Sequence, residues 1–248
     1  MGKTFEALER AEKEFQEIKY NTAVEIEEKK LLTSKKTQWA FETSDEFSDL
    51  LNKLLSRYSN LALRTLLFTG STHGTGVTKT AIKFAKTLVK ASDHRVLIIE
   101  ANLRTPSFQR LFHQNPIKGV PGSLVDDGLK IFKFKNVGKG NLFAFTFGGN
   151  RSSSNNYIET QRLGKLIEVS KKQFDYIILD TAPIGICPES QAICSLADGV
   201  LMVIESGKTR RRVAQRAKQE LEDAGGKLLG VVLNKRKYYI PKWIYSRL

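Results

Sequence analysis

From Thr65 to Asn234, short apolar runs rich in β-branched and aromatic residues alternate with longer segments whose apolar positions recur every three or four residues. The runs LRTLLFTG, HRVLIIEAN, LFAFTFGG, FDYIILDTAP, DGVLMVIESG and KLLGVVLNK each predict a strand. Between them, TKTAIKFAKTLVKA, SFQRLFHQ, YIETQRLGKLIEVSKKQ, PESQAICSLA and KTRRRVAQRAKQELEDAG predict helices. Strands that are apolar throughout are buried on both faces, which requires helices above and below the sheet. The pattern therefore predicts a doubly wound α/β domain with a mostly parallel sheet.

The first 60 residues read differently. They are highly charged, with two candidate helices, GKTFEALERAEKEFQEIKY and SDEFSDLLNKLLSRYS, the second capped by Ser44 or Asp45. The polar stretch EIEEKKLLTSKKTQW between them is expected to be loose. The chain thus divides into an N-terminal helical arm (1–60), an α/β domain (61–236) and a basic, aromatic C-terminal tail (237–248), and 248 residues suffice for one sizeable core.

Composition narrows the function classes. Nothing reaches the roughly 18 consecutive apolar residues of a membrane span, and MGKTFEALERAEKEFQ lacks the apolar core of a signal peptide, so a cytosolic location is expected, with room for peripheral attachment at the inner membrane face. Cys187 and Cys194 form no CxxC, so they are expected to be reduced, half-buried core residues and not a disulfide or zinc site. The net charge of +14 favours nucleic acid, an anionic membrane face or an acidic partner without choosing among them.

The stretch 70-GSTHGTGVTKTAIKFAKTL-88 carries the most chemistry: an apolar strand runs into a glycine-rich loop that opens a helix. Such a loop aims backbone amides at phosphates, the helix adds its positive N-terminal end, a lysine reaches the terminal phosphates and a Ser or Thr hydroxyl binds magnesium. Gly74, Thr75, Gly76 and Thr78 fit that design, but Val77 follows the last glycine where lysine belongs. Shifting the frame to use Lys79 would put Thr78 and His73 on glycine positions. With the glycines kept, Lys79 lies about 200° around the helix from position 77. The alternative is a glycine-rich turn that packs the domain and binds nothing. Asp180 closes the strand YIILD, where a carboxylate either faces a ligand crevice or caps a following helix.

Four segments in order, STHGTGVTKT, VLIIEANLRTPSFQRLF, FDYIILDTAPIG and ADGVLMVIESGKT, followed by LLGVVLNKRKYYIPKWIY, resemble the bacterial polysaccharide-export tyrosine autokinases (BY-kinases of the CpsD/CapB type), relatives of the MinD/ParA P-loop ATPases. The likeness spans nearly the whole chain. It implies a P-loop NTPase fold, ATP or ADP with Mg²⁺ as ligands, and a membrane-bound polysaccharide co-polymerase or export component as partner. By resemblance, Gly74, Thr75, Gly76, Val77, Thr78 and Lys79 form the phosphate loop, Thr78 and Asp180 the magnesium side, and Asn234 the group facing adenine. Glu100 and Asn102 stand where the family carries catalytic aspartates, in IEANLRTP. Asn cannot serve as a base or give a hard cation a full charge. Arg104 and Pro106 match the family, and Thr72 replaces the extra lysine of MinD-type loops.

Two further departures stand out. The family's Glu-Tyr-Arg-x-Leu-Arg pattern, whose arginines pack on a neighbouring subunit, reads 46-EFSDLL-51 here, with Ser48 and Leu51 in the arginine places, which argues against that route to a homo-oligomer. The C-terminal tyrosine cluster reduces to Tyr238, Tyr239 and Tyr245. Three functions follow: an accessory polysaccharide-export protein with a degenerate site and weak or lost turnover, an active tyrosine autokinase with unusual chemistry, or a ParA-like module binding a membrane surface or, less in keeping with the resemblance, DNA.

Overall fold

Every residue of β1 (Thr65–Gly70) and β2 (Val96–Glu100) is buried, as their unbroken apolar character demands. The computed structural model describes residues 45–102, 108, 129–134, 141–147 and 156–236. With β3 (Leu129–Phe134), β4 (Leu142–Phe147), β5 (Tyr176–Asp180), β6 (Gly199–Glu205) and β7 (Leu228–Asn234), these strands form one seven-stranded sheet in the order β3-β4-β2-β5-β1-β6-β7. All neighbours are parallel except β3, which pairs antiparallel with β4 at the edge.

All six expected strands are present. β3 was not expected: LKIFKF carries lysine at 130 and 133, which breaks the apolar run, as suits an edge strand that must discourage further pairing. The helices are α1 (Asp45–Arg57), α2 (Val77–Ser92), α3 (Asn156–Ser170), α4 (Pro188–Cys194) and α5 (Arg211–Asp223). Residues 1–44, the Ser44 cap, Arg104 and Pro106, most of the expected SFQRLFHQ helix, the 237–248 tail and its three tyrosines lie outside the described residues.

Strand periodicity divides the core between the two faces. On one, Leu66 and Phe68 of β1 meet Ala81, Phe84, Ala85 and Leu88 of α2, with the Phe68 and Phe84 rings 5.3 Å apart. On the other, Leu67 meets Leu163 and Ile167 of α3, Ile193 of α4 and Leu221 of α5. Cys187 and Cys194 are 3% and 0% exposed, more deeply set than the half-buried state expected. The reason is local: α4 turns Cys194 inward, where its thiol donates to the Ser190 carbonyl at 3.2 Å, and burial pushes its pKa up to about 11.

α1 buries Leu51 and Leu54, three residues apart on one helix face, in the α2-side core. Leu51 is 4% exposed. Tyr58, just past the helix, donates its hydroxyl to the Leu229 carbonyl of β7 at 2.7 Å. Tyr58→Phe should lower stability by about 0.5–1.5 kcal/mol, read as a lower denaturant midpoint with an unchanged slope. An unshifted midpoint would mean that this bond does not secure α1.

Candidate nucleotide site

Chain reversal places the site. After β1 the chain crosses to β2 on one side of the sheet, while β6 and β7 extend it on the other, and the carboxyl end of β1 at such a reversal is where α/β sheets bind ligands. Four described strands bring groups there: β1 leads into the 70–76 loop, β2 ends at Glu100, β5 ends at Asp180 and β7 ends at Asn234.

The loop has the shape expected from its glycines. Gly74 and Gly76 adopt φ of +76° and +91°, the left-handed region that glycine enters without strain, and Gly76 serves as the N-cap of α2. A Cβ at Gly76 would collide with the Asn234 side-chain amide. The first helical backbone bond is from the Thr80 amide to the Gly76 carbonyl at 3.0 Å. Among the described residues, the backbone N–H groups of Thr75, Gly76, Val77 and Thr78 meet no backbone acceptor. Free amides at a helix start are the complement of an anion.

Asp180 and Glu100 lie side by side in register on β5 and β2, each 1% exposed. Their situations differ. Glu100 Oε1 accepts the Phe108 backbone amide at 2.7 Å. Both Asp180 oxygens are buried without a hydrogen-bond partner among the described residues. Burial drives the Asp180 carboxyl up to about 8, and the Glu100 carboxylate adds to the rise. The Thr78 hydroxyl beside it acts in the opposite sense, although it forms no bond of ordinary geometry with either oxygen.

A buried carboxylate with two open oxygens next to a hydroxyl suits a hard divalent cation, and the free amides of the loop suit phosphate oxygens. These residues fit Mg²⁺ with a nucleotide polyphosphate, with Thr78 and Asp180 on the metal side. Position 77 does not complete the set: the Val77 side chain is 9% exposed and belongs to the apolar cluster beneath α2. Lys79 is exposed on α2, while Asn102 lies just beyond β2.

Asn234 is, by resemblance, the residue that faces adenine. Here its side-chain amide donates to the Thr75 carbonyl at 2.8 Å. Its neighbour Lys235, which the sequence offers only as one of the basic residues gathered toward the C-terminus, donates from Nζ to the Gly74 carbonyl at 2.6 Å and to Glu205 Oε2 at 3.0 Å. Hydrogen bonding from Lys235 holds the Glu205 carboxyl below its ordinary range. The signal that could have revealed this pair was the Asn-Lys step at the carboxyl end of a strand lying two places from β1.

No family model matches the chain. The tyrosine-protein kinase CpsD of Streptococcus agalactiae is 31% identical over 221 residues, covering 86% of this chain and 90% of that protein. The chain belongs to the bacterial tyrosine-kinase family. The succinoglycan biosynthesis transport protein ExoP of Rhizobium meliloti is 30% identical to this BY-kinase family member over 151 residues, 60% of the present chain and 19% of ExoP. Among solved structures, the kinase domain of the Escherichia coli tyrosine kinase ETK superposes with a TM-score of 0.65 at 23% identity, covering 79% of this chain and 77% of that one. That likeness establishes a shared α/β fold with a BY-kinase domain. No described helix is long and apolar enough to cross a membrane.

Proposed function

We propose that this member of the BY-kinase family is an accessory or regulatory protein of capsule or exopolysaccharide export. In this reading it works in the cytosol, docks on a membrane-bound co-polymerase or export component, and turns ATP over weakly or not at all. The observation that carries the reading is Val77: the side chain in the lysine place is packed into the core, where it offers a phosphate no charge. Asp180 supports it, because among the described residues the groups acting on that carboxyl are a hydroxyl and a second carboxyl, neither of them cationic. Asn102 removes a further charge from the same crevice.

In this reading Thr75, Gly76 and Thr78 hold an anion weakly through backbone amides, and Thr78 with Asp180 would hold Mg²⁺. A bound nucleotide would supply the phosphate that an active autokinase transfers to tyrosine. The positive surface, including Arg210, Arg211 and Arg212 at the start of α5, suits an acidic segment of the membrane partner or the anionic face of the bilayer.

Incubation with Mg²⁺ and ATP, followed by mass spectrometry and a phosphate-release assay, tests the reading. Little release and unmodified Tyr238, Tyr239 and Tyr245 are expected. Turnover comparable to an intact family member, abolished by Asp180→Ala, would establish the active-autokinase reading instead.

A further inference from the structure

The end of β7 makes two contacts with the phosphate loop, and both go to carbonyl oxygens. Lys235 Nζ takes the Gly74 carbonyl and the Asn234 amide takes the Thr75 carbonyl. All described peptides are trans, and in a trans peptide the C=O and the next residue's N–H point in opposite directions. Fixing the Gly74 carbonyl toward β7 therefore turns the Thr75 N–H away from β7, and fixing the Thr75 carbonyl does the same for the Gly76 N–H.

We infer that Asn234 and Lys235 are positioning residues that clamp the two peptide planes of the loop, so that the Thr75 and Gly76 amides stay aimed into the anion cradle without any lysine at position 77. Two other features point the same way. Lys235 sits at φ +56°, a left-handed conformation that costs a non-glycine residue energy and is kept here where its side chain reaches back to the loop. Glu205, at the end of β6, holds the same ammonium from the other side, and Lys208 lies 3.6 Å from that carboxylate. The clamp thus spans three segments: β6 supplies the anchor, Asn234 at the end of β7 and Lys235 just past it supply the two donors, and the loop the two acceptors. It also accounts for glycine at 76, since the Asn234 amide occupies the space a Cβ would need.

This inference rests on the reading of the loop as an anion site only for what the aimed amides would bind. The clamp itself is tested without a ligand. In the full-length protein labelled with ¹⁵N, backbone order parameters at Thr75 and Gly76 should be those of rigid backbone, about 0.85. Lys235→Gly should bring Thr75 below about 0.6 while Gly76, whose plane Asn234 still holds, stays rigid, and should leave the melting temperature unchanged or higher, because glycine relieves the left-handed φ. Lys235→Arg, which keeps a cationic donor, should retain the rigid values. If Thr75 stays rigid in Lys235→Gly, or both amides are already mobile in the wild type, the clamp is overturned. A merely structural lysine would give that first result.

Pyrophosphate supplies the second arm. It should shift the Thr75 and Gly76 resonances in the wild type, with affinity about tenfold weaker in Lys235→Gly because the Thr75 amide is no longer pre-aimed. Order parameters that respond to the mutation without any pyrophosphate shift would support the clamp and refute the anion-cradle reading.

Discussion

Val77→Lys should tighten binding of Mg²⁺–ADP by roughly 30- to several-thousand-fold, the equivalent of about 2–5 kcal/mol. The parts that would receive the restored charge are in place: two left-handed glycines, loop amides with no backbone acceptor, and Asp180 with the Thr78 hydroxyl beside it. A lysine at the first position of α2 can run its aliphatic stem along the apolar surface that Val77 covers and extend its ammonium toward the cradle. Calorimetry on wild type and variant, with and without Mg²⁺, measures the change. Equal affinities would mean that the missing charge is not what weakens the site.

Asp180→Asn should stabilise the fold increasingly as pH rises. The folded carboxyl keeps its proton up to about 8, against 3.8 for the ordinary group, so the native state holds more protons than the unfolded chain between those values. Stability from this group is therefore complete below about pH 4 and is lost as pH climbs toward 8, at up to about 1.4 kcal/mol per pH unit. Asparagine carries no charge and removes that slope. Melting curves of both proteins at pH 5 and pH 8 should show a gap in favour of the variant that widens markedly at pH 8, each kcal/mol being worth about 2–4 °C. A gap of the same size at both pH values would show that Asp180 does not carry a buried proton.

The legible part of the molecule was the part governed by periodicity. Six strands and the main helices of the α/β domain follow from apolar runs and three-to-four-residue spacing, because burial between two helical layers leaves little freedom in composition. β3 escaped because an edge strand is under no such demand and tolerates lysines at 130 and 133. In the site, the residue types at 74–78 and 180 and their place at strand ends were readable. The partners were not: that Glu100 accepts the Phe108 amide and that Lys235 grips Gly74 depends on side-chain reach across segments 8 and 161 residues apart. Sequence spacing carries no information about such reach until the sheet order is known. The depth of Cys187 and Cys194 was misjudged for a related reason, since α4 is too short to show which face turns inward.

Those two thiols are the whole cysteine content of the chain. At 3% and 0% exposure both are shut away from a reagent, and Cys194, raised to about 11, offers almost no thiolate at neutral pH. A single cysteine introduced on the surface would therefore react alone with a maleimide dye or spin label. The native background need not be mutated away before fluorescence or distance measurements follow the loop, the helix before β1, or a docked partner.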